Sequence, residues 1–213
     1  MASFQLATAA SSAKSVAVWK QMIATSLEKN KRLPYAKYIQ LATVRENGRP
    51  ANRTVVFRGF LWDTEKLTFV TDTRSSKVQE VAANPWCEVS WYFPESREQY
   101  RIHGSLSIIR KDHDDEKVAR ARVSAWKNMS DGGRTQFAWP QPGIPRPEPE
   151  DKAPSYDLPA LTAEDPVSDN FSLVILDPVE VDYLSLKGNL RICFRWEDCE
   201  DRAGSWSETH INP

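Results

Sequence analysis

Long apolar runs are missing from this chain: nowhere do its 213 residues approach the roughly 20 consecutive apolar side chains that span a bilayer, and the N-terminus lacks the apolar stretch of a secretory signal. A membrane-bound or exported protein is not expected. Cysteine is scarce, and the three present (Cys87, Cys193 and Cys199) are odd in number and have no C-x-x-C spacing. That argues against a disulfide scaffold and a zinc site and fits a reducing compartment, the cytoplasm. Histidine is equally rare (His103, His113 and His210), and neither H-E-x-x-H nor G-x-S-x-G occurs, so metalloprotease and serine-hydrolase chemistry lack their parts. A dominant charge is also missing. With 28 basic and 29 acidic side chains the formal net charge is -1, no bulk field draws the chain to nucleic acid, and any anion it binds must be gripped locally.

What is present reads as one mainly β domain with flanking helices over residues 16–213, after a disordered Ala/Ser-rich tail at 1–15. That tail is free of acidic residues, as organelle transit peptides are; with one Lys and no Arg it fits that type poorly, and a chloroplast is the alternative location it would imply. Apolar residues at helical spacing from Val16 to Asn30 predict an amphipathic helix. Strands are predicted at Lys37 to Val44 and Asn52 to Phe60, joined by a tight turn at Asn47-Gly48, and then at Leu67 to Asp72, Cys87 to Phe93 and Gln99 to Ile109. A short helix capped by Thr73-Arg74-Ser75-Ser76 interrupts them, and the order is that of a barrel or sandwich. A charged helix follows at Asp114 to Asn128. Eight of the fourteen prolines then fall between Pro140 and Pro166, which predicts an irregular loop or arm over 140–170. Strand-like segments at Phe171 to Leu176, Val179 to Leu184, Leu190 to Trp196 and Ser205 to Ile211 close the chain.

Three segments can carry chemistry. Asn52 to Arg58 bears two arginines, Arg53 and Arg58, which alternation places on opposite strand faces unless a bulge intervenes. Thr71 to Lys77 combines hydroxyls, a lysine and a helix N-terminus, a setting that favours phosphate; plain N-capping is the competing explanation. In Arg97 to Gly104, alternation sets Gln99, Arg101 and His103 on one face, and the Gln99 amide can both donate and accept, as the pyrimidine edge of a flavin requires. A solvated strand face explains the same pattern. His113, within Lys111-Asp-His-Asp-Asp115, reads as a helix start, and most of the eight tryptophans read as core.

Taken together, Arg53-Thr-Val-Val-Phe-Arg-Gly-Phe60, Phe69-Val-Thr-Asp-Thr-Arg-Ser-Ser-Lys77, Asn84-Pro85 and Arg97-Glu-Gln-Tyr-Arg-Ile-His-Gly104 resemble the pyridoxamine 5′-phosphate oxidase family, in order and in spacing. Gly48-Arg-Pro-Ala-Asn-Arg53, Trp91-Tyr-Phe-Pro94 and Gln136-Phe-Ala-Trp-Pro140 are especially similar to a plant and cyanobacterial subgroup. The resemblance implies an antiparallel Greek-key split barrel, a homodimer and FMN at its interface. It places Arg53, Ser76 and Lys77 at the FMN phosphate and ribityl chain, with Val56, Arg58, Val70 and Thr71 beside them, Gln99 at the flavin ring, and Arg191 reaching the cofactor from the second subunit. Arg58, Arg122 and Arg134 are the candidates for a substrate phosphate. Ser76 stands where the oxidases usually carry arginine, with Arg74 as the nearby compensating charge, and Lys187-Gly188-Asn189 replaces their substrate-binding Arg-x-His. The implied reaction is oxidation of pyridoxine or pyridoxamine 5′-phosphate to pyridoxal 5′-phosphate by O2. A flavin oxidoreductase with another substrate, or a flavin- or pyridoxal-phosphate-binding protein without turnover, are the alternatives.

Overall fold

The computed structural model describes residues 17–146, 155–199 and 202–213; the tail expected at 1–15 and the middle of the proline-rich segment lie outside them. Nine antiparallel strands form one sheet that curls into a half-barrel. They are β1 (Tyr38–Val44), β2 (Pro50–Val56), β3 (Gly59–Phe60), β4 (Leu67–Asp72), β5 (Trp86–Phe93), β6 (Glu98–Ile109), β7 (Phe171–Ser185), β8 (Leu190–Cys199) and β9 (Arg202–Ile211). The helices are α1 (Val18–Lys29), α2 (Ser76–Ala83), α3 (Glu116–Lys127) and α4 (Asp131–Thr135). The order across the sheet is β2-β1-β5-β6-β7-β4-β3, with β8 on β7 and β9 on β8.

Alternation decides which residues fill the barrel. In β6, Tyr100 and Ile102 point inward while Arg101 and His103 face out; Leu41, Phe69, Trp91, Leu176 and Phe194 join the two inward residues in the central core. Helix α1 closes the barrel with Trp19 and Ile23, both fully buried, a contribution of roughly 1.5–3 kcal/mol for each side chain. It is also pinned by the buried Glu98 carboxylate, which accepts from Ser26 Oγ at 2.8 Å and Tyr183 Oη at 3.0 Å. The first half of β7 is buried on both faces, because α3 covers Leu173 and Ile175 from outside.

Three expectations need correction. The final part of the sheet was expected to hold separate strands on either side of Pro178, yet β7 runs unbroken for 15 residues. Proline is tolerated there because its missing N–H falls where the neighbours change: pairing with β4 ends at Leu176, pairing with β8 begins at Glu180, and the β6 register shifts between His103 and Gly104. Gly104 permits the shift, since a Cβ at that position would lie 2.2 Å from Asp177 O.

The strand expected over Asn52 to Phe60 instead stops at Val56. Phe57 N still donates to Lys37 O beside β1, but Arg58 N donates to Thr68 O on β4, both at 2.8 Å. Gly59, at φ +129, makes this jump between neighbours possible. Finally, α4 and a 3₁₀ turn at Gln136–Ala138 were not anticipated, because Gly132-Gly133 reads as a loop; Ser130 Oγ caps α4 by accepting from Gly133 N.

Candidate functional site

The jump at Phe57 to Gly59 turns Arg58 toward the same side as Arg53, so both line one cleft of about 820 Å³. One side of the cleft comes from β2, β4 and α2 (Arg53, Thr54, Val70, Thr71, Asp72 and Lys77); the other comes from Met129 to Gly133, from Gln136 to Ile144 and from Tyr156. The size suits a cofactor together with a small substrate.

Cations gather at the β4–α2 end. Lys77 Nζ donates to Thr71 Oγ1 at 2.8 Å and Ser75 Oγ at 3.0 Å. Burial, and then the neighbouring Arg53, push its pKa below the ordinary lysine value. The ammonium is therefore short of anionic partners. Arg53 donates to Glu80 Oε2 at 2.6 Å and to Thr43 Oγ1. Burial alone would raise the Glu80 pKa, but the bonds from Thr43 and Arg53 bring it below the usual carboxylate value. Glu80 thus holds the guanidinium beside Lys77. No side chain caps α2, because Ser75 Oγ donates back to Asp72 O at 2.8 Å, and this leaves the first turn open to an anion. Two cations, two hydroxyls and an uncapped helix start are the donor set that a phosphate dianion takes.

Of the residues anticipated, Arg53, Arg58, Val70, Thr71 and Lys77 meet in this cleft. Burial lowers the Arg58 pKa, and among the described residues its side chain makes no hydrogen bond or ion pair. Val56 is half-buried on β2 and Ser76 exposed on α2; neither lines the cleft. Gln99 and Arg191 lie elsewhere, in one row across the sheet: Gln99 pairs with Leu184, and Leu184 with Arg191. Asp182 fixes Arg191 through bonds of 3.0 and 2.7 Å.

Arg122 and Arg134 do not stand open to a substrate phosphate. Arg122 is buried and donates to Phe171 O at 3.0 Å and Ser168 O at 2.7 Å. Arg134, also buried, donates to the carbonyls of Leu161, Trp126 and Met129 and pairs with Asp131. Arg74 likewise does not replace the arginine missing at Ser76; it grips both Asp72 carboxylate oxygens and donates to Trp139 O. His113 Nδ1 accepts from Asp115 N, and Asp115 caps α3, as its place at a helix start implied.

Sequence reasoning missed Glu80 and the wall from Gln136 to Ile144. Glu80 could have been found from its place one helical turn beyond Lys77; for the wall the signal was the run Gln136-Phe-Ala-Trp-Pro140, which the resemblance to the subgroup marked without giving it a role.

A family model for the pyridoxamine 5′-phosphate oxidase FMN-binding domain matches residues 16–110. The chain is 36% identical, over 93% of its length and 98% of the relative's, to pyridoxine/pyridoxamine 5′-phosphate oxidase 2 of Arabidopsis thaliana. A crystal structure of a pyridoxamine 5′-phosphate oxidase-related, FMN-binding protein from Nostoc punctiforme superposes with a TM-score of 0.84 at 45% identity, covering 93% of this chain and all of that one. PhzG from Burkholderia lata, solved with tetrahydrophenazine-1-carboxylic acid, shares the fold at a TM-score of 0.68 and 20% identity, with 92% of this chain and 90% of that one covered. The chain belongs to the pyridoxamine 5′-phosphate oxidase family of FMN-binding proteins, and FMN is its cofactor.

Proposed function

We propose that this flavoprotein oxidises pyridoxine 5′-phosphate or pyridoxamine 5′-phosphate to pyridoxal 5′-phosphate, with O2 as the final electron acceptor. The observation that carries the reading is the cationic cleft in a chain that matches the Arabidopsis oxidase over 93% of its length. Arg53, Thr71 and Lys77, with the open α2 terminus that begins at Ser76, hold the FMN phosphate; Val70 flanks the ribityl chain. Arg58, the cation without a protein partner, meets the substrate phosphate. Gln99 and Arg191 lie outside the cleft of their own chain, so we propose a homodimer in which a second copy brings them to the flavin.

Bound FMN supplies the two-electron acceptance that amino-acid side chains cannot. The chain's own task is to hold two phosphorylated rings face to face and to exclude water. Among the described residues no histidine lines the cleft, and the one carboxylate that does, Asp72, is held by Arg74, which suits a reaction that asks for positioning more than for proton shuttling.

One observation favours a second reading, an oxidoreductase of the same family with a different small substrate. Lys187 stands in place of the substrate-binding arginine and donates instead to Glu95 O, while Arg122 and Arg134 are engaged with carbonyls. Anaerobic addition of each vitamin phosphate to the FMN-loaded protein separates the two. Bleaching of the flavin, restored by air, is the expected result; flavin that stays oxidised with both compounds overturns the oxidase in favour of the second reading.

A further inference from the structure

The far side of the cleft is a stitched wall. Its base is Phe137, buried against Trp126, Met129 and Phe171. Its upper part, Trp139, packs edge-on against Tyr156 with centroids 5.5 Å apart at 85°, joining two arms of the proline-rich segment. Both rings line the cleft, and among the described residues the buried Trp139 indole N–H has no hydrogen-bond partner. A buried donor without a partner is costly, and an acceptor on a ligand would relieve that cost.

Two hydrogen-bonded routes tie this wall to the loop that carries the phosphate donors. Arg74 Nη2 bridges Asp72 Oδ2 at 2.7 Å and Trp139 O at 2.9 Å. Thr73 N donates to Asn170 O at 2.8 Å, and Asn170 Nδ2 donates to Phe137 O at 2.9 Å. The width of the cleft between the phosphate end and the aromatic pair is therefore set by protein bonds that exist before any ligand arrives.

We infer that Trp139 and Tyr156 form the specificity wall for the substrate's planar ring, and that Arg74 is a positioning residue fixing that wall's distance from the phosphate-binding loop. The inference rests on the cleft being the cofactor and substrate site. It names a ring-bearing phosphate as the class of ligand, with the ring against Tyr156. A pocket that relied on charge alone would hold inorganic phosphate as well as it holds a ring-bearing phosphate; an aromatic wall separates the two.

The test is calorimetric titration of the FMN-loaded protein with pyridoxal 5′-phosphate, phenyl phosphate and inorganic phosphate. Tyr156→Ala and Trp139→Leu should weaken both ring-bearing ligands by about ten-fold, the scale of one lost aromatic contact, and leave inorganic phosphate unchanged. Arg74→Gln should do the same while FMN affinity holds, and Arg74→Lys should restore part of the loss by keeping the charge beside Asp72. Equal weakening of all three ligands, no weakening of any, or loss of FMN in Arg74→Gln overturns the inference. So does a wild-type protein that binds the rings no better than inorganic phosphate. If wild-type protein holds phenyl phosphate through the wall yet neither binds nor oxidises vitamin phosphates, the proposed substrate falls and the wall stands.

Discussion

Lys77 offers the sharpest test of the phosphate end, because its loss should separate binding from stability. Its half-buried ammonium donates to the hydroxyls of Thr71 and Ser75, and both burial and Arg53 disfavour its charge. A phosphate would add charge-assisted hydrogen bonds that the cofactor-free protein lacks. Their loss in Lys77→Met is worth about 1.5–3 kcal/mol, or roughly 10- to 150-fold in the Kd for FMN. Stability should not fall with it. The substitution removes a desolvated cation and its repulsion from Arg53, and the Thr71 and Ser75 hydroxyls, 3.2 Å apart, can bond each other.

The pH dependence carries the same sign. Because the folded pKa lies below 10.5, the unfolded chain binds more protons between the two values, so the stability of the cofactor-free wild type rises with pH through that window. The rise should vanish in Lys77→Met. Flavin fluorescence titration gives the Kd, and thermal melts across alkaline pH give the stability. A Kd within about two-fold of wild type, or a clear drop in melting temperature, refutes the reasoning.

Other sites give independent outcomes. Glu80→Gln should cost about 1–2 kcal/mol at neutral pH, since it weakens the bonds from Thr43 and Arg53. The wild-type Glu80 contribution is present above the unfolded value near 4.5 and is lost as pH falls through the lower folded pKa, so urea melts of the variant should show a shallower acid decline. Gly104→Ala forces a Cβ to within 2.2 Å of Asp177 O; a loss of 3 kcal/mol or more, about the upper range for a single substitution, should appear in the urea midpoint. Glu98→Ala removes the acceptor for Ser26 and Tyr183, so roughly 1–3 kcal/mol should be lost, with faster hydrogen exchange in α1 than in β1 as the local sign.

The strands were legible because a barrel with one wet face imposes alternation, and β1, β5 and β6 obey it. Where a strand is covered on both sides the rule fails, as in the first half of β7, and the expected break around Pro178 is absent because β7 runs through it. Thr71 and Lys77 were legible as candidate phosphate donors since hydroxyls, a lysine and a helix start are local features. The meeting of Arg53 and Arg58 was not, because it depends on one strand leaving β1 for β4 at Gly59. Nor was the place of the wall opposite: Arg74, which donates to Trp139 O, and Tyr156, which packs on the Trp139 ring, are both distant from Trp139 in sequence.

The arginines expose a general difficulty in reading anion sites from sequence. Proline has no N–H, so a segment as rich in it as 140–170 cannot form a ladder, and neighbouring carbonyls need other donors. The five-donor guanidinium fork supplies them. Arg134 collects the carbonyls of Trp126, Met129 and Leu161, Arg122 those of Ser168 and Phe171, and Arg74 that of Trp139. These three arginines are thus taken up in tying the segment and its flanks to the rest of the fold, and the abundance of arginine here is not by itself a sign of an anion site. One condition that sets a cation of the cleft apart from these three is the lack, among the described residues, of any carbonyl or carboxylate to take its charge, although Arg53, paired with Glu80, faces the same cleft and does not meet it. Arg58 meets that condition fully, and Lys77, bonded to hydroxyls alone, meets it as well.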